Sequence, residues 1–208
     1  MAAPVTHIVL ADLAHRRFFP DVPRREFLIG TSFPDIRYLV GIKREITHFP
    51  DVSVRGCEGS SPFMAGAKFH SVVDNVREAY VRSRNAYDHV PASRYASQAL
   101  KFFEDEVLYD RFDGWQGVIG DFATIPYAES PFPVEKKGID AWYASIRRYF
   151  ATPPTPETQK EFIVSTDLTE AAAIEIRRVI DGMRDNAALC GIIVDFHGSF
   201  LSLLEAES

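Results

Sequence analysis

The sequence reads as an all-α helical bundle. Apolar residues recur at 3.6-residue spacing through most of the 208 positions, and the connections between these stretches are short. Strand patterning is confined to Phe162–Val164 and Gly191–Val194, the second inside a helical context. The composition suits a packed core: 46% hydrophobic, 25% charged, with sixteen Phe and eight Tyr.

Residues 4–18 form the first predicted helix, with Pro4 near its start and Pro20 beyond its end. Residues 23–30 give a short helix stopping at Gly30. Ser32-Phe33-Pro34-Asp35 then supplies a fresh start, with a serine cap, a proline in the first turn and an acid at the third position. Residues 41–62 are dense in Gly, Pro, Asp and Ser and read as a loop, with a short irregular element around 42–49. A long helix over 63–84 carries an apolar stripe at Phe69, Val72, Val73, Val76 and Tyr80. Another runs over 93–112 through Leu100, Phe103, Val107 and Leu108, and a short one lies near 115–122. The proline-rich segment 126–133 is a loop, and helix returns over 134–150 through Ile139, Trp142, Ile146 and Tyr149. Thr152–Thr158 reads as a linker. Helices over 168–185 and 187–204 then pack back on the same body, so residues 1–208 form one domain with a break at 151–157.

The net charge of −6 argues against binding a phosphate backbone, which needs clustered cations; Arg16-Arg17 and Arg24-Arg25 are too short to change this. Cys57 and Cys190 stand far apart and in no metal spacing, so the chain is not a disulfide scaffold. Asp12, His15, Arg16 and Arg17 interrupt any signal-peptide core near the start, and no stretch approaches the roughly 18 apolar residues of a membrane span. The expectation is a soluble, cytoplasmic protein.

Chemistry is concentrated in a few residues. His70 and Asp74 are four apart on a helix, so their side chains lie one above the other beside the apolar stripe. Gly66 and Ala67, one turn earlier, leave room for another element to approach. Such a pair either satisfies itself or forms part of a metal site. Asp35 favours a helix amino end, yet it sits in an apolar run, where a carboxylate needs a partner or a cation. His7 lies in the apolar Val5-Thr6-His7-Ile8-Val9-Leu10 and is expected to be buried. His48 lies in the loop, where a lone histidine is ordinarily solvated. His15 and His89 are assigned to the surface. In Glu104-Asp105-Glu106, Asp105 is the inward acid; it supplies a ligand, orients a ligating histidine, or belongs to a solvated acidic face. Arg77 is a salt-bridge partner of Asp74 or a contact for a substrate phosphate.

Thr6-His7, Gly30-Thr31-Ser32-Phe33-Pro34-Asp35, Thr47-His48-Phe49 and His70-x3-Asp74, in this order, resemble the zinc-dependent phospholipase C and S1/P1 nuclease superfamily of all-helical metallohydrolases. The resemblance covers residues 6–75. It implies a site of Asp35, His48, His70 and Asp74 around one divalent metal, with His7 helping to hold a second ion bridged by Asp74. Zinc is the first choice, with manganese or iron as alternatives. The family's further histidine after His-x3-Asp is absent, position 80 being tyrosine, and so is the later His-x3-Glu. A third metal is therefore not expected. The implied activity is hydrolysis of a small or lipid-like phosphate ester, by water whose pKa a bound ion lowers to about 7. Asp35 is an alternative general base and Arg77 a phosphate contact. Two other readings stand beside it: a metallohydrolase of acyl or amide substrates, and a helical ligand-binding module with structural histidines. The His-Asp dipeptide of another helical phosphohydrolase family does not occur.

Overall fold

The computed structural model describes residues 3–124, 131–166 and 168–206, and all regular structure among them is helical. Helix α1 (Pro4–Phe18) begins where the sequence places it, with Pro4 in the first turn. Ala3 has no side chain to cap it. The buried N–H groups of Val5 and Thr6 donate instead to the Asp105 carboxylate, at 3.1 and 2.8 Å. Most of α1 is buried, and it packs on α2 (Arg24–Ser32), α5 (Pro62–Ser83), α6 (Ala96–Leu108) and α11 (Ala187–Ala206).

Helix α2 does not stop at Gly30. It runs to Ser32, through a 3-10 turn at Phe33–Ile36, into α3 (Arg37–Val40), and ends at Gly41 with φ +69°. Ser32 is not a cap; its hydroxyl donates back to the Ile29 carbonyl at 2.9 Å. The glycine serves packing. A Cβ on Gly30 would lie 2.0 Å from the Phe63 carbonyl oxygen, and one on Gly66 would lie 2.0 Å from that of Phe27. The backbones of α2 and α5 therefore touch at two glycines, a separation no other residue allows.

The long loop holds the short helix α4 (Arg44–Thr47) and a 3-10 turn at Arg55–Cys57. Helix α6 is shorter than expected and passes into a 3-10 turn at Tyr109–Arg111. Helices α7 (Trp115–Ala123) and α8 (Lys136–Phe150) follow; of the loop expected over 126–133, residues 126–130 lie outside the described residues. Helix α9 (Pro156–Ser165) starts inside the stretch expected to be a linker. Thr155 and Thr158 form a capping box and Pro156 occupies the first turn, so that proline starts a helix here. Phe162–Val164 and Gly191–Val194, the two strand-like runs, are helical in α9 and α11. Helix α9 packs against α8 and α10 (Glu170–Asp181).

By length and composition alone, α11 departs from the expectation that no segment could cross a membrane: this 20-residue helix contains an 18-residue window of mean hydropathy 1.7, a value that core helices of soluble proteins also reach. Leu189, Ile193, Phe196, Phe200 and Leu204 on α11 are buried, and the helix packs against α1, α5 and α6.

The three consecutive acids of α6 go to three different partners. Glu104 takes the Arg77 guanidinium of α5, with contacts of 2.5–3.1 Å, both side chains buried. Asp105 takes the start of α1. Glu106 pairs with Arg177 and Arg184. None of them belongs to a freely solvated acidic face.

Candidate metal centre

Five polar side chains from four places in the chain converge beneath α1. His7 comes from α1, Asp35 from the 3-10 turn after α2, His48 from the residue after α4, and His70 and Asp74 from one face of α5. All five are buried. The tight α2–α5 contact brings Asp35 over His70. The spacing on α5 stacks Asp74 one turn beyond His70.

Asp35 Oδ1 stands 3.8 Å from the Nε2 atoms of both His48 and His70. Asp74 Oδ2 stands 3.8 Å from His48 Nε2 and 3.7 Å from His70 Nε2. His7 Nε2 lies 3.4 Å from the other oxygen of Asp74. The His7 and His70 rings stack at 3.8 Å, and those of His48 and His70 meet edge to face at 4.8 Å. The donor atoms of Asp35, His48 and His70, and again of His7, His70 and Asp74, all lie within 4.8 Å of one another. Donors on one tetrahedral zinc, at about 2.0–2.2 Å from it, stand about 3.3–3.6 Å apart. The pairs around Asp35 and Asp74 are slightly wider than this, so a small contraction brings them to bonding distance.

Asp35 Oδ1, His48 Nε2, His70 Nε2 and both ring nitrogens of His7 have no hydrogen-bond partner. Buried polar atoms are ordinarily paired, so the unpaired atoms of Asp35, His48 and His70, mutually within 4.8 Å, fit a cation. The far sides of two rings are tied down. His70 Nδ1–H donates to the Thr31 carbonyl at 2.8 Å, which turns the Nε2 lone pair inward. The Thr47 hydroxyl lies 2.9 Å from His48 Nδ1 and 3.5 Å from the Arg44 carbonyl, which holds the ring with its Nε2 towards Asp35 and Asp74.

Burial, reinforced by the neighbouring His70, lowers the His48 pKa to about 3. Burial and His7 hold His70 well below the usual histidine range. Both rings are therefore neutral near pH 7, the form that binds metal. Burial pushes the Asp74 carboxyl up, but His70 and His7 outweigh it and hold the group well below its ordinary value. These groups can hold a divalent cation.

Two residues expected at the site are elsewhere engaged. Arg77 does not reach a substrate: it is fully buried, and its donors go to Glu104, Glu78 and Tyr87. Asp105 is not a ligand. It accepts from Val5 N–H, from the N–H and hydroxyl of Thr6, and from the Tyr149 hydroxyl. It thereby positions α1, and with it His7. His15, assigned to the surface, is buried with Nε2 on the Val22 carbonyl at 2.7 Å.

Two cations that the sequence did not single out flank the centre. Arg44 Nη2 lies 3.3 Å from Asp74 Oδ2, with 43% of its side chain exposed. Lys101 lines a cavity of about 150 Å³ that Asp35 also borders. Arg44 lies in the Arg-Glu-Ile-Thr turn directly before His48, a signal that only its neighbour's role makes visible. Fold and site together define an all-helical protein with a buried His/Asp centre suited to a metal ion. The chain matches no protein-family model, no curated protein and no solved structure.

Proposed function

We propose that this protein is a metal-dependent hydrolase of phosphate esters, with its metal held by Asp35, His48, His70 and Asp74 and with His7 on the far oxygen of Asp74. The single observation that carries the reading is the set of buried atoms without hydrogen-bond partners on Asp35, His48 and His70, whose ligand atoms lie within 4.8 Å of one another. A divalent cation bound there supplies Lewis-acid activation of water and of a phosphate oxygen. The chain's own residues do the rest. Thr31 and Thr47 fix the ring orientations, and the lowered histidine pKa values keep the rings deprotonated. Asp35, which also borders the cavity, is the alternative general base for water entering there, in place of its ligand role. Arg44 and Lys101 bring positive charge to the two flanks, which favours an anionic ester over a neutral one.

The test is elemental analysis of freshly purified, untagged protein, joined to a chromogenic substrate panel. Zinc, manganese or iron near stoichiometric amounts is expected, falling at least tenfold in His70→Ala and His48→Ala. Hydrolysis of p-nitrophenyl phosphate or its diester is expected to fall with it. Unchanged metal content in His70→Ala removes the centre. Activity on p-nitrophenyl acetate or an anilide, with none on phosphates, assigns the centre to acyl or amide chemistry.

A further inference from the structure

The cavity beside Asp35 combines two kinds of lining. Asp35, Tyr38 and Lys101 are among its polar residues, and Asp35 makes it border the candidate centre. Phe102, Trp142 and Leu168 are among its apolar ones. Lys101 projects from α6 and is half-buried, and no described residue pairs with its ammonium at hydrogen-bond distance. It shares the cavity lining with Asp35. A half-buried, unpartnered ammonium is costly unless an anion meets it. A volume of about 150 Å³ is what a benzene-sized group fills.

We infer that this cavity is the specificity pocket of the centre. It takes one compact apolar group, about the size of a phenyl ring, from a substrate whose anionic phosphate lies between Lys101 and Asp35. The inference rests on the hydrolase reading and narrows it: a small aryl or short-chain phosphate ester fits, and a two-chain lipid does not.

Binding of non-hydrolysable phosphonates tests it without requiring turnover. Trp142 reports from the pocket wall, because the second tryptophan, Trp115, is held away with its indole N–H on the Tyr109 carbonyl at 3.0 Å. Phenylphosphonate is expected to change the tryptophan fluorescence and to bind at least tenfold tighter than methylphosphonate, the scale on which an apolar pocket rewards added carbon. Trp142→Phe removes the signal. Leu168→Trp, which fills the cavity, is expected to abolish the preference for phenyl, and Leu168→Ala to shift it towards naphthyl. Lys101→Gln weakens phenyl and methyl compounds alike, by about tenfold. Should Leu168→Trp not fold, Leu168→Ala and Lys101→Gln carry the test. Equal binding of phenyl and methyl compounds, or tighter binding of a dioctanoyl phosphatidate, overturns the pocket assignment even if phosphate esters are hydrolysed. Selective phenyl binding that follows Leu168 and Lys101, in a protein that hydrolyses no phosphate ester, keeps the pocket and sinks the hydrolase reading.

Discussion

Replacing Gly66 by alanine adds one methyl group, and the structure says where it goes. The new Cβ would sit 2.0 Å from the Phe27 carbonyl oxygen and 2.8 Å from the Thr31 nitrogen, whereas ordinary contacts begin at 3.4 Å. Both obstacles are backbone, so no rotamer change relieves them, and α2 must withdraw from α5 by about 1.4 Å. The same movement stretches the 2.8 Å bond from His70 Nδ1–H to the Thr31 carbonyl to about 4 Å, beyond hydrogen-bonding range. Overpacking costs about 1–3 kcal/mol and the lost bond about 1 kcal/mol more. For a chain of this length that lowers Tm by about 10 °C. Thermal unfolding followed by circular dichroism, with chelator present, measures it; metal content of the purified variant is expected to fall as well, because Asp35 moves with α2. Gly117→Ala on α7 is the matched control. Nothing lies within 4 Å of its Cβ, so the change is expected to be neutral or to stabilise by up to about 1 kcal/mol. A Gly66→Ala protein that melts within about 2–4 °C of the parent (the upper size of the control effect) and still retains its metal would refute the idea that this contact sets the centre.

Asp105→Ala strands three buried donors at the start of α1, those of Val5 and Thr6, and is expected to cost about 3 kcal/mol or more in urea unfolding, together with weaker metal binding through His7; a loss under about 1 kcal/mol would contradict its capping role. The metal-free protein should also lose stability on acidification. His48 has a folded pKa of about 3, below its unfolded value of about 6.5, so between these limits the unfolded chain binds the extra proton. Its contribution is complete above pH 6.5 and is lost as pH falls towards 3, at about 1.4 kcal/mol per pH unit, and His70 acts in the same direction. Asp105, raised by burial to about 7, opposes this, because its folded form keeps a proton that the unfolded form releases above pH 4. Urea midpoints at pH 7.5 and 5.5 for the parent and His48→Gln isolate the histidine: the variant should show the shallower acid loss, and parallel slopes would refute a buried neutral imidazole.

Much of the helical plan was legible because it rests on short-range rules. The limits of α1, the long α5 and the apolar stripe of α8 follow from periodicity and proline position. The errors share a cause. Gly30 reads as a stop because glycine is a poor helix former, but inside the continuing α2 it serves the close approach of Phe63. Phe162–Val164 has strand propensity, yet a capping box at Thr155 and packing on α8 and α10 make it helical. His48 reads as solvated because nothing nearby in sequence covers it; what covers it is α5, more than twenty residues on.

The chain alone determined which residue types are available for chemistry: the His70–Asp74 spacing on one helix face, and an acid and a histidine in apolar or turn-rich settings at Asp35 and His48. Periodicity and short motifs are local, so they transmit that much. Tertiary structure alone decided which of these side chains share a point in space. It spent Arg77 on Glu104 and Asp105 on α1, and it brought Arg44 and Lys101 to the flanks of the centre. The reason is that a buried charge goes to whichever partner the packed helices bring within hydrogen-bond reach, and that distance depends on helix separation, here set by two glycines in contact, rather than on spacing along the chain.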